Sequence, residues 1–243
     1  MVDDLKPVLS IVMPVHNEEA CLEWVIAETH ASILSALPES VLMAIDDGSR
    51  DSTPEILDDL ARRFPQVMVF HKKNGGHGDA LLYGLRRAEG RYLFLMDSDG
   101  QTDPRDFWAL WENRTATDFI SGVRTPRCDP VHRLLIARVL RLAIRVGFGV
   151  RCRDANAPFK LFTKEFWEKA SPWIPPETIT PSLFLSIIAG RLGGGLTEVE
   201  IRHRTRGTGI STIRYGRLVR FCLRAFFQLL KLRRSLRRGS GQA

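Results

Sequence analysis

The stretch "LFLMDSDGQTDP", residues 93–104, begins as a buried strand and ends in acid. Four apolar residues are followed by Asp97, Asp99 and Asp103, with Gln101 between the last two. Because like charges repel, such a cluster is unfavourable unless a positive group lies beside it. Two carboxylates at i and i+2 can converge on one divalent cation, and their hard oxygen atoms suit Mg²⁺ or Mn²⁺. The stretch therefore predicts a metal site, with a solvated turn or helix cap as the alternative.

This strand is the fourth of a regular series in the first hundred residues. Apolar runs at 8–15, 40–49, 66–73 and 91–99 predict four strands, and helical patterns separate them. A βαβαβαβ order is typical of a parallel sheet with helices on both faces. Such sheets bind ligands at the carboxyl ends of their strands. The sequence thus predicts an α/β fold with its site at that edge.

Each predicted strand ends in an acidic or glycine-rich segment: "HNEE", "DDGS", "NGGHG" and "DSDGQ". The carboxylates of Asp46 and Asp47 can accept hydrogen bonds from a base or a ribose. Lys73, the turn around Gly76 and the helix N-terminus that follows favour phosphate. The glycine spacing is neither that of a P-loop nor G-x-G-x-x-G, which disfavours an ATPase or a dinucleotide oxidoreductase. Together the four segments predict a nucleoside diphosphate bound through a metal.

Length and composition restrict the class of protein. The 243 residues suffice for one large domain, and 44% hydrophobic with 26% charged residues is ordinary for a globular protein. The first residues lack the pattern of a signal peptide, and no window approaches the ~20 apolar residues of a spanning helix. Four scattered cysteines favour free thiols in a reducing compartment over disulfides or zinc.

The charge is unevenly distributed along the chain. The net charge is +7, yet twelve of the 35 Lys and Arg residues follow Glu200, the last acidic residue. Segments 131–150 and 217–231 place basic residues on one helical face and apolar residues on the rest. Such helices suit an anionic membrane surface, and the alternative is core-packed helices with solvated arginine faces. We expect one domain at 1–215 and a basic amphipathic tail at 216–243 with a disordered end.

The segments "VLSIVMPVHNEE", "IDDGSRDST", "NGGHGDALLYGLRRAEGRYLFLMDSDGQTDP" and "DANAPFKLF" resemble successive blocks of the family 2 glycosyltransferases with the GT-A fold. Within that family the chain is most similar to the polyprenyl-phosphate sugar transferases, such as dolichyl-phosphate mannose or glucose synthases. The likeness covers about residues 7–215. It implies a Rossmann-like GT-A sheet, a GDP- or UDP-sugar donor, Mg²⁺ or Mn²⁺, a polyprenyl phosphate acceptor and an inverting displacement.

Roles for individual residues follow from this resemblance together with the strand-end pattern. The residues assigned to nucleotide and diphosphate binding are Pro14, His16, Asn17, Glu18, Asp46, Asp47, Lys73, Gly76, Asp97, Ser98, Arg204 and Ser211. The assigned metal ligands are Asp97, Asp99 and Gln101. The assigned acceptor-binding residues are Arg124, Arg133 and Lys160, and the assigned catalytic residues are Asp154, Asp99 and Arg204. His16 stands where tyrosine is common, Ala137 replaces a serine of some members, and the alignment of Arg204 could instead select Arg206.

The role of Asp154 stays open. It matches an aspartate that is often assigned as a base or as an acceptor-positioning group, and the alternative is a turn cap beside Asn156 and Pro158. A lipid phosphate, with a second pKa near ~6, is already anionic, and Asp154 would then orient Lys160 or an arginine. A sugar hydroxyl needs a general base. The arginine-rich segment 124–145 and the basic tail favour the phosphate.

Three functions therefore compete. The leading one is transfer of a hexose from a GDP- or UDP-sugar to a polyprenyl phosphate, by a peripheral protein at the cytoplasmic face of a membrane. The second is transfer to a glycan or small-molecule hydroxyl. The third is nucleic-acid binding through the tail, which we do not expect because the strand-end carboxylates repel phosphate in the absence of metal. The histidines share no metal-ligand spacing and are expected to be structural or exposed: His30, His71, His77 and His132.

Overall fold

The computed structural model describes residues 6–126, 131–192, 195–204 and 215–239. Its strands are β1 (Leu9–Val15), β2 (Ser40–Asp46), β3 (Val67–His71), β4 (Tyr92–Leu95), β5 (Phe119–Arg124), β6 (Lys160–Thr163) and β7 (Thr197–Ile201). Its α-helices are α1 (Leu22–Thr29), α2 (Thr53–Arg63), α3 (His77–Arg87), α4 (Phe107–Trp111), α5 (Val131–Phe148), α6 (Lys164–Ala170), α7 (Pro181–Arg191) and α8 (Tyr215–Gly239). A π-helical turn (His30–Leu34) continues α1, and short 3₁₀ turns (Pro104–Asp106 and Ser171–Trp173) precede α4 and follow α6.

The seven strands form one sheet in the order β3-β2-β1-β4-β6-β5-β7. The pairs β1–β2, β1–β4, β2–β3 and β5–β7 are parallel, whereas β6 runs antiparallel to β4 and to β5. The prediction of a mostly parallel α/β sheet is confirmed, and its first four strands lie where the apolar runs placed them. The second half adds three strands that the sequence pattern did not predict. Because β6 is reversed, its amino end lies at the edge where the other strands have their carboxyl ends.

Helices cover both faces of the sheet, which explains why the strands are apolar on both sides. Ile11 and Met13 of β1 pack into one buried cluster with α1, α2 and α4, and Val12 packs into the other. That second cluster contains residues of α3, α5, α6, α7 and α8. Both faces of the sheet are thus buried, and the cleft described below opens at its carboxyl edge.

Helix α8 is joined to the body of the protein by its second half. Leu229, Leu232 and Leu236 are buried in the same cluster as α7. The Gln228 side chain accepts a hydrogen bond from the Ile179 N–H at 3.1 Å and donates one to the backbone carbonyl of residue 177 at 2.8 Å. The division of the chain into a domain at 1–215 and a tail at 216–243 stays a prediction. In the described parts of the chain, no helix has both the length and the apolar character needed to cross a bilayer.

Candidate active site

A cleft of about 380 Å³ opens at the carboxyl edge of the sheet, beside the first turn of α3. Residues that the sequence assigns to the nucleotide or the metal line it: Pro14, His16, Glu18, Asp47, Gly76, Asp97, Ser98 and Asp99. The same lining includes Val15, Asn74, His77 and Ala80. Parallel strands explain this convergence, because the segments that follow their carboxyl ends reach one side of the sheet together.

Asp97 and Asp99 belong to a tight loop just after β4. Gly100 has a φ of +69°, a conformation that favours glycine, and it lets the chain turn back. The Ser98 hydroxyl donates a hydrogen bond to the Pro14 carbonyl at 2.9 Å, which fastens this loop to the end of β1. Both carboxylates are therefore held at the wall of the cleft.

Asp97 has the least favourable electrostatic position in the loop. Burial raises the pKa of Asp97, and the Asp99 and Glu18 carboxylates raise it further, whereas His77 and Arg124 act in the opposite direction. The Nε2 atom of His77 lies 3.9 Å from Oδ1 of Asp97. The Asp97 side chain is 30% exposed, so a cation that enters the cleft can reach it. The raised pKa shows that the ionised form of Asp97 is disfavoured in the protein alone. Additional positive charge in the cleft would therefore stabilise that ionised form.

The donor atoms fit a metal that is shared with a ligand. Among the described residues, no three or more His, Cys, Asp and Glu side chains form a complete metal site. Mg²⁺ commonly takes one or two protein carboxylates and completes its shell with water and substrate phosphates, and Asp97 with Asp99 supplies such a pair. Gln101 lies outside the lining of the cleft. Its N–H donates to Asp99 at 3.1 Å, and its side-chain amide donates to the Arg204 carbonyl at 3.4 Å.

Asp47 shapes the glycine-rich turn from within the cleft. Its carboxylate accepts hydrogen bonds from the N–H groups of Gly75 and Gly76 at 2.8 and 2.7 Å. The Lys72 ammonium lies 2.7 Å from the same carboxylate and 2.6 Å from that of Asp79. The turn before α3 is thus built around Asp47, which is buried but faces the cleft.

Asp46, the second carboxylate assigned to base and ribose, lies outside the cleft lining and is bonded to its neighbours. It accepts a hydrogen bond from the Ser49 N–H at 3.0 Å, and its Oδ2 lies 2.9 Å from Nδ1 of His71. Burial raises the pKa of Asp46, but the bonds from His71 and Ser49 outweigh it and hold that pKa below its ordinary value. The contact with His71 adds a side-chain link to the backbone pairing of β2 with β3 at this edge.

The segment after β1 is tied to the segment after β2. Asn17 has a φ of +53°, its N–H donates to the Ser49 hydroxyl at 3.0 Å, and its side-chain oxygen accepts from the Arg50 N–H at 2.8 Å. Asn17 therefore supports the wall of the cleft, while His16 lines the cleft and is exposed. Lys73 lies on a neighbouring cleft of about 700 Å³ between the start of α3 and helix α8.

The residues assigned to the acceptor lie on the β5–β6 side of the sheet. Asp154 accepts two hydrogen bonds from the Arg124 guanidinium, from Nε at 2.7 Å and from Nη2 at 3.0 Å. Lys160 is fully buried, and its ammonium donates to the Ser121 hydroxyl at 3.2 Å and to the Ala157 carbonyl. Burial lowers the pKa of Lys160 to about 8. Asp154 and Lys160 are both buried, and Arg124, which is paired with Asp154, is the least buried of the three.

Arg204 is bound to carboxylates outside the cleft lining. Its guanidinium nitrogens lie 3.2 Å from the two Glu28 oxygens and 2.8 Å from Oδ2 of Asp103. Three other assigned positions have side chains outside the described residues: Arg133, Arg206 and Ser211.

Sequence reasoning missed two side chains of the cleft. His77 is the first residue of α3, and its ring faces the Asp97 carboxylate. Asn74 donates a hydrogen bond from its side-chain amide to the Asp47 carbonyl at 2.8 Å. Both belong to "NGGHG", for which the sequence analysis considered the glycine turn and the helix N-terminus. The position of this segment at the end of a parallel strand was the signal that its polar side chains could line the site.

Comparison with known proteins adds a family and a set of relatives. The sequence model of the family described as "Glycosyl transferase family 2" matches residues 10–148, more than half of the chain. The undecaprenyl-phosphate 4-deoxy-4-formamido-L-arabinose transferase of Pseudomonas aeruginosa (strain LESB58) is 28% identical over 214 residues, 87% of this chain and 62% of that protein. The enzyme of the same name from Pectobacterium atrosepticum is 27% identical and is covered to 66%. The chain thus spans less than two thirds of these curated relatives.

Solved structures share the fold at low sequence identity. Glucosyl-3-phosphoglycerate synthase from Mycobacterium tuberculosis in complex with UDP is 19% identical, with a TM-score of 0.70, 93% of this chain and 80% of that chain covered. Mannosyltransferase PcManGT from Pyrobaculum calidifontis in complex with GDP-Man and Mn²⁺ is also 19% identical, with a TM-score of 0.60, 84% of this chain and 59% of that chain covered. At these identities the likeness supports the fold alone.

The bond between His71 and Asp46 predicts how stability changes with pH. That hydrogen bond raises the pKa of His71, burial opposes the rise, and Asp58 adds to it. A group whose pKa is raised by folding contributes stability that is fully present below its unfolded pKa, about 6.5 for His, and is lost as the pH rises through the folded value. We expect His71→Gln to lower the melting temperature more at pH 5.5 than at pH 8.5.

Thermal denaturation followed by circular dichroism across this pH range measures the difference. Asp58→Asn is the matched control, because it removes the weaker partner and keeps Asp46, so its loss of stability should follow the same pH trend at smaller size. A deficit in the His71→Gln protein that stays constant from pH 5.5 to 8.5 would contradict the prediction.

Proposed function

The chain belongs to glycosyl transferase family 2, and from this we infer that it transfers a hexose from a GDP- or UDP-sugar to a polyprenyl phosphate. The observation that carries this proposal is the cleft in which Asp97 and Asp99 face the nucleotide-side residues Asp47 and His16. Carboxylates aimed into an open cleft suit a ligand that arrives with a divalent cation, and nucleoside diphosphate sugars are such ligands.

On the donor side, this chain supplies the carboxylates and the wall against which the nucleotide is held. Mg²⁺ or Mn²⁺, when bound by Asp97 and Asp99, supplies positive charge that stabilises the departing diphosphate. Asp47 holds the turn at Gly75 and Gly76 in place, so the start of α3 borders the same cleft. We assign His16 to the base, because it is exposed and lines the cleft.

On the acceptor side, the paired Arg124 and Asp154 favour a phosphate over a hydroxyl. A carboxylate that accepts two hydrogen bonds from one guanidinium is stabilised in its ionised form and is a weaker base. A phosphate monoester has a second pKa near ~6 and needs no base at neutral pH. Asp154 thus orients Arg124, and Arg124 is the group that we assign to the acceptor phosphate. Attack from the side opposite the leaving diphosphate inverts the anomeric carbon.

The names of the relatives support the choice of acceptor. Both curated relatives described above are named as undecaprenyl-phosphate 4-deoxy-4-formamido-L-arabinose transferases, and the matched region includes most of this chain. Because the chain spans less than two thirds of those proteins, their acceptor is part of our proposal for this chain. The same holds for the nucleotide, since UDP and GDP both occur in complexes of structurally similar proteins.

Two exposed apolar surfaces support peripheral contact with a membrane, and we propose that the face contacted is the cytoplasmic one. On α5, Val139, Leu142 and Val146 are exposed, and the last is 74% exposed. The first half of α8 exposes further large apolar side chains, among which Phe227 is 62% exposed. Beside these side chains, Arg138, Arg141 and Arg145 of α5 and Arg220 and Arg224 of α8 are exposed. Apolar side chains beside arginines match the boundary between acyl chains and anionic headgroups.

The proposed reaction is tested by transfer of radiolabel from sugar nucleotides into lipid. Wild-type protein with undecaprenyl phosphate and Mg²⁺ or Mn²⁺ should give a labelled organic-phase product from at least one UDP- or GDP-sugar. Asp99→Ala should lower the rate at least about 100-fold, because the charge of the leaving diphosphate loses its stabilisation. Asp59→Asn, which removes an exposed carboxylate on α2, is the matched control and should retain the wild-type rate.

Absence of a lipid product with every donor would contradict the proposal. A water-soluble labelled product from a hydroxyl acceptor would instead support the alternative acceptor class. Asp154→Asn separates the two further: with lipid phosphate it should chiefly raise the KM for the acceptor, whereas with a hydroxyl acceptor it should abolish turnover.

Membrane contact is tested by flotation with vesicles that contain anionic phospholipid. We expect wild-type protein to bind, and Phe226→Ser with Phe227→Ser to weaken binding by at least about tenfold, since two apolar side chains no longer enter the interface. Met68→Ser removes an exposed apolar side chain on β3 and is the control. Equal flotation of wild type and the double variant would contradict a role for α8 in membrane binding.

A further inference from the structure

Asp103, at the end of the loop that carries Asp97 and Asp99, is the centre of a cluster of arginines. Its side chain is only 2% exposed. Its Oδ2 lies 2.7 Å from Nη2 of Arg105, 2.8 Å from Nη2 of Arg204 and 3.2 Å from Nη2 of Arg202. A buried carboxylate is stable only with paired donors, so Asp103 joins the segments that carry its three guanidinium partners.

The backbone beside Asp103 joins two distant parts of the chain. The Arg204 N–H donates to the Gln101 carbonyl at 2.7 Å, and Thr102 forms an antiparallel bridge with His203. The Gln101 side chain reaches the Arg204 carbonyl, as described above. The segment just after β7 is thus paired with the last residues of the loop that carries the metal-binding carboxylates.

Glu28 of α1 completes the arrangement. Its two carboxylate oxygens lie 3.2 Å from the two terminal nitrogens of Arg204, so this guanidinium bridges Glu28 and Asp103. Three segments meet there: α1, the loop after β4 and the end of β7. A guanidinium that already contacts two carboxylates would have to leave both in order to bind a diphosphate.

We propose that Glu28, Asp103 and Arg204 form a positioning tie that fixes the Asp97–Gln101 loop in the geometry that binds metal. This inference rests on the proposed metal-dependent binding of a nucleoside diphosphate. The three residues act through the loop: Asp103 and Gln101 are held by the end of β7, and Gln101 in turn holds the Asp99 carboxylate through its N–H. Arg204 is therefore a positioning residue and makes no contact with the donor diphosphate.

The two possible roles of Arg204 predict opposite effects for Glu28→Gln. If Arg204 is a tie, loss of the Glu28 charge loosens the loop and weakens the metal-dependent part of nucleotide binding. If Arg204 binds the diphosphate, loss of the Glu28 charge releases the guanidinium, and nucleotide binding becomes tighter even without metal. The sign of the change therefore distinguishes the roles.

The experiment is isothermal titration of UDP and of GDP into the full chain, in Mn²⁺ and in EDTA. The ratio of Kd in EDTA to Kd in Mn²⁺ measures the contribution of the metal. We expect Glu28→Gln, Asp103→Asn and Arg204→Gln each to reduce this ratio by about tenfold, a typical loss when a residue that orients a metal ligand is replaced. Their Kd in EDTA should stay at the wild-type value. Because the residues act together, Glu28→Gln with Arg204→Gln should be no worse than Arg204→Gln alone.

Asp106→Asn is the matched control. Asp106 binds Arg202 in the same cluster, at 2.7 Å from its Nη2. Its N–H donates to the Asp103 carbonyl at 3.0 Å, a backbone bond that the substitution keeps. This variant should keep the wild-type ratio. Melting temperatures are measured for all variants to show that they fold. Glu28 is less buried than Asp103, so Glu28→Gln is the variant to use if Asp103→Asn does not fold.

Two results would overturn the inference and leave the proposed function intact: an unchanged ratio in folded Glu28→Gln and Arg204→Gln, or tighter nucleotide binding by Glu28→Gln in EDTA. If wild-type protein binds UDP with the same Kd in Mn²⁺ as in EDTA, and does so for GDP as well, the inference and the metal-dependent proposal are both overturned.

Discussion

Repulsion between carboxylates gathered at one edge of a parallel sheet is the constraint on which the site depends. The fold brings Asp46, Asp47, Asp97, Asp99 and Asp103 to that edge, and most of them are buried. Each buried acid that is satisfied within the protein has its own donors: Asp47 has Lys72 and two backbone N–H groups, and Asp103 has arginines. The pKa values of Asp46 and Asp103 are accordingly lowered, whereas that of Asp97 is raised. Compared with Asp46 and Asp103, Asp97 is thus the carboxylate whose ionised form a bound cation would stabilise most.

Much of the first half of the chain could be predicted because its signals are local. Apolar runs ended by polar segments located β1 to β4, and their parallel order located the site. The remaining strands are short, and β6 is reversed between β4 and β5, a placement that no local pattern encodes. The same limit applies to the site. Asp97 and Asp99 were visible in "DSD", but the partners of Asp103 lie at Arg202 and Arg204, about one hundred residues further along the chain.

One part of the basic tail is buried in the core and another part is exposed, and composition alone could not tell the two parts apart. Its sequence is apolar and arginine-rich throughout, which predicted an amphipathic helix, with core packing as the alternative for such a pattern. In the structure, Leu229, Leu232 and Leu236 of its second half are buried in the core cluster that also contains α7, and the phenylalanines of its first half are exposed. Between these two parts, the Gln228 side chain forms hydrogen bonds with the backbone at Ile179 and at residue 177. The helix is therefore anchored at one end, and the other end presents the surface that we assign to the membrane.

The central claim is that Asp97 and Asp99 bind a divalent cation together with a nucleoside diphosphate. A crystal structure of the chain grown with Mn²⁺ and UDP or GDP tests it most directly, because manganese can be located by its anomalous scattering. The account predicts one anomalous peak within coordination distance of both carboxylates, bridged to the phosphates, with the base near His16 and Asp47. A nucleotide bound elsewhere, or manganese that contacts neither carboxylate, would contradict it.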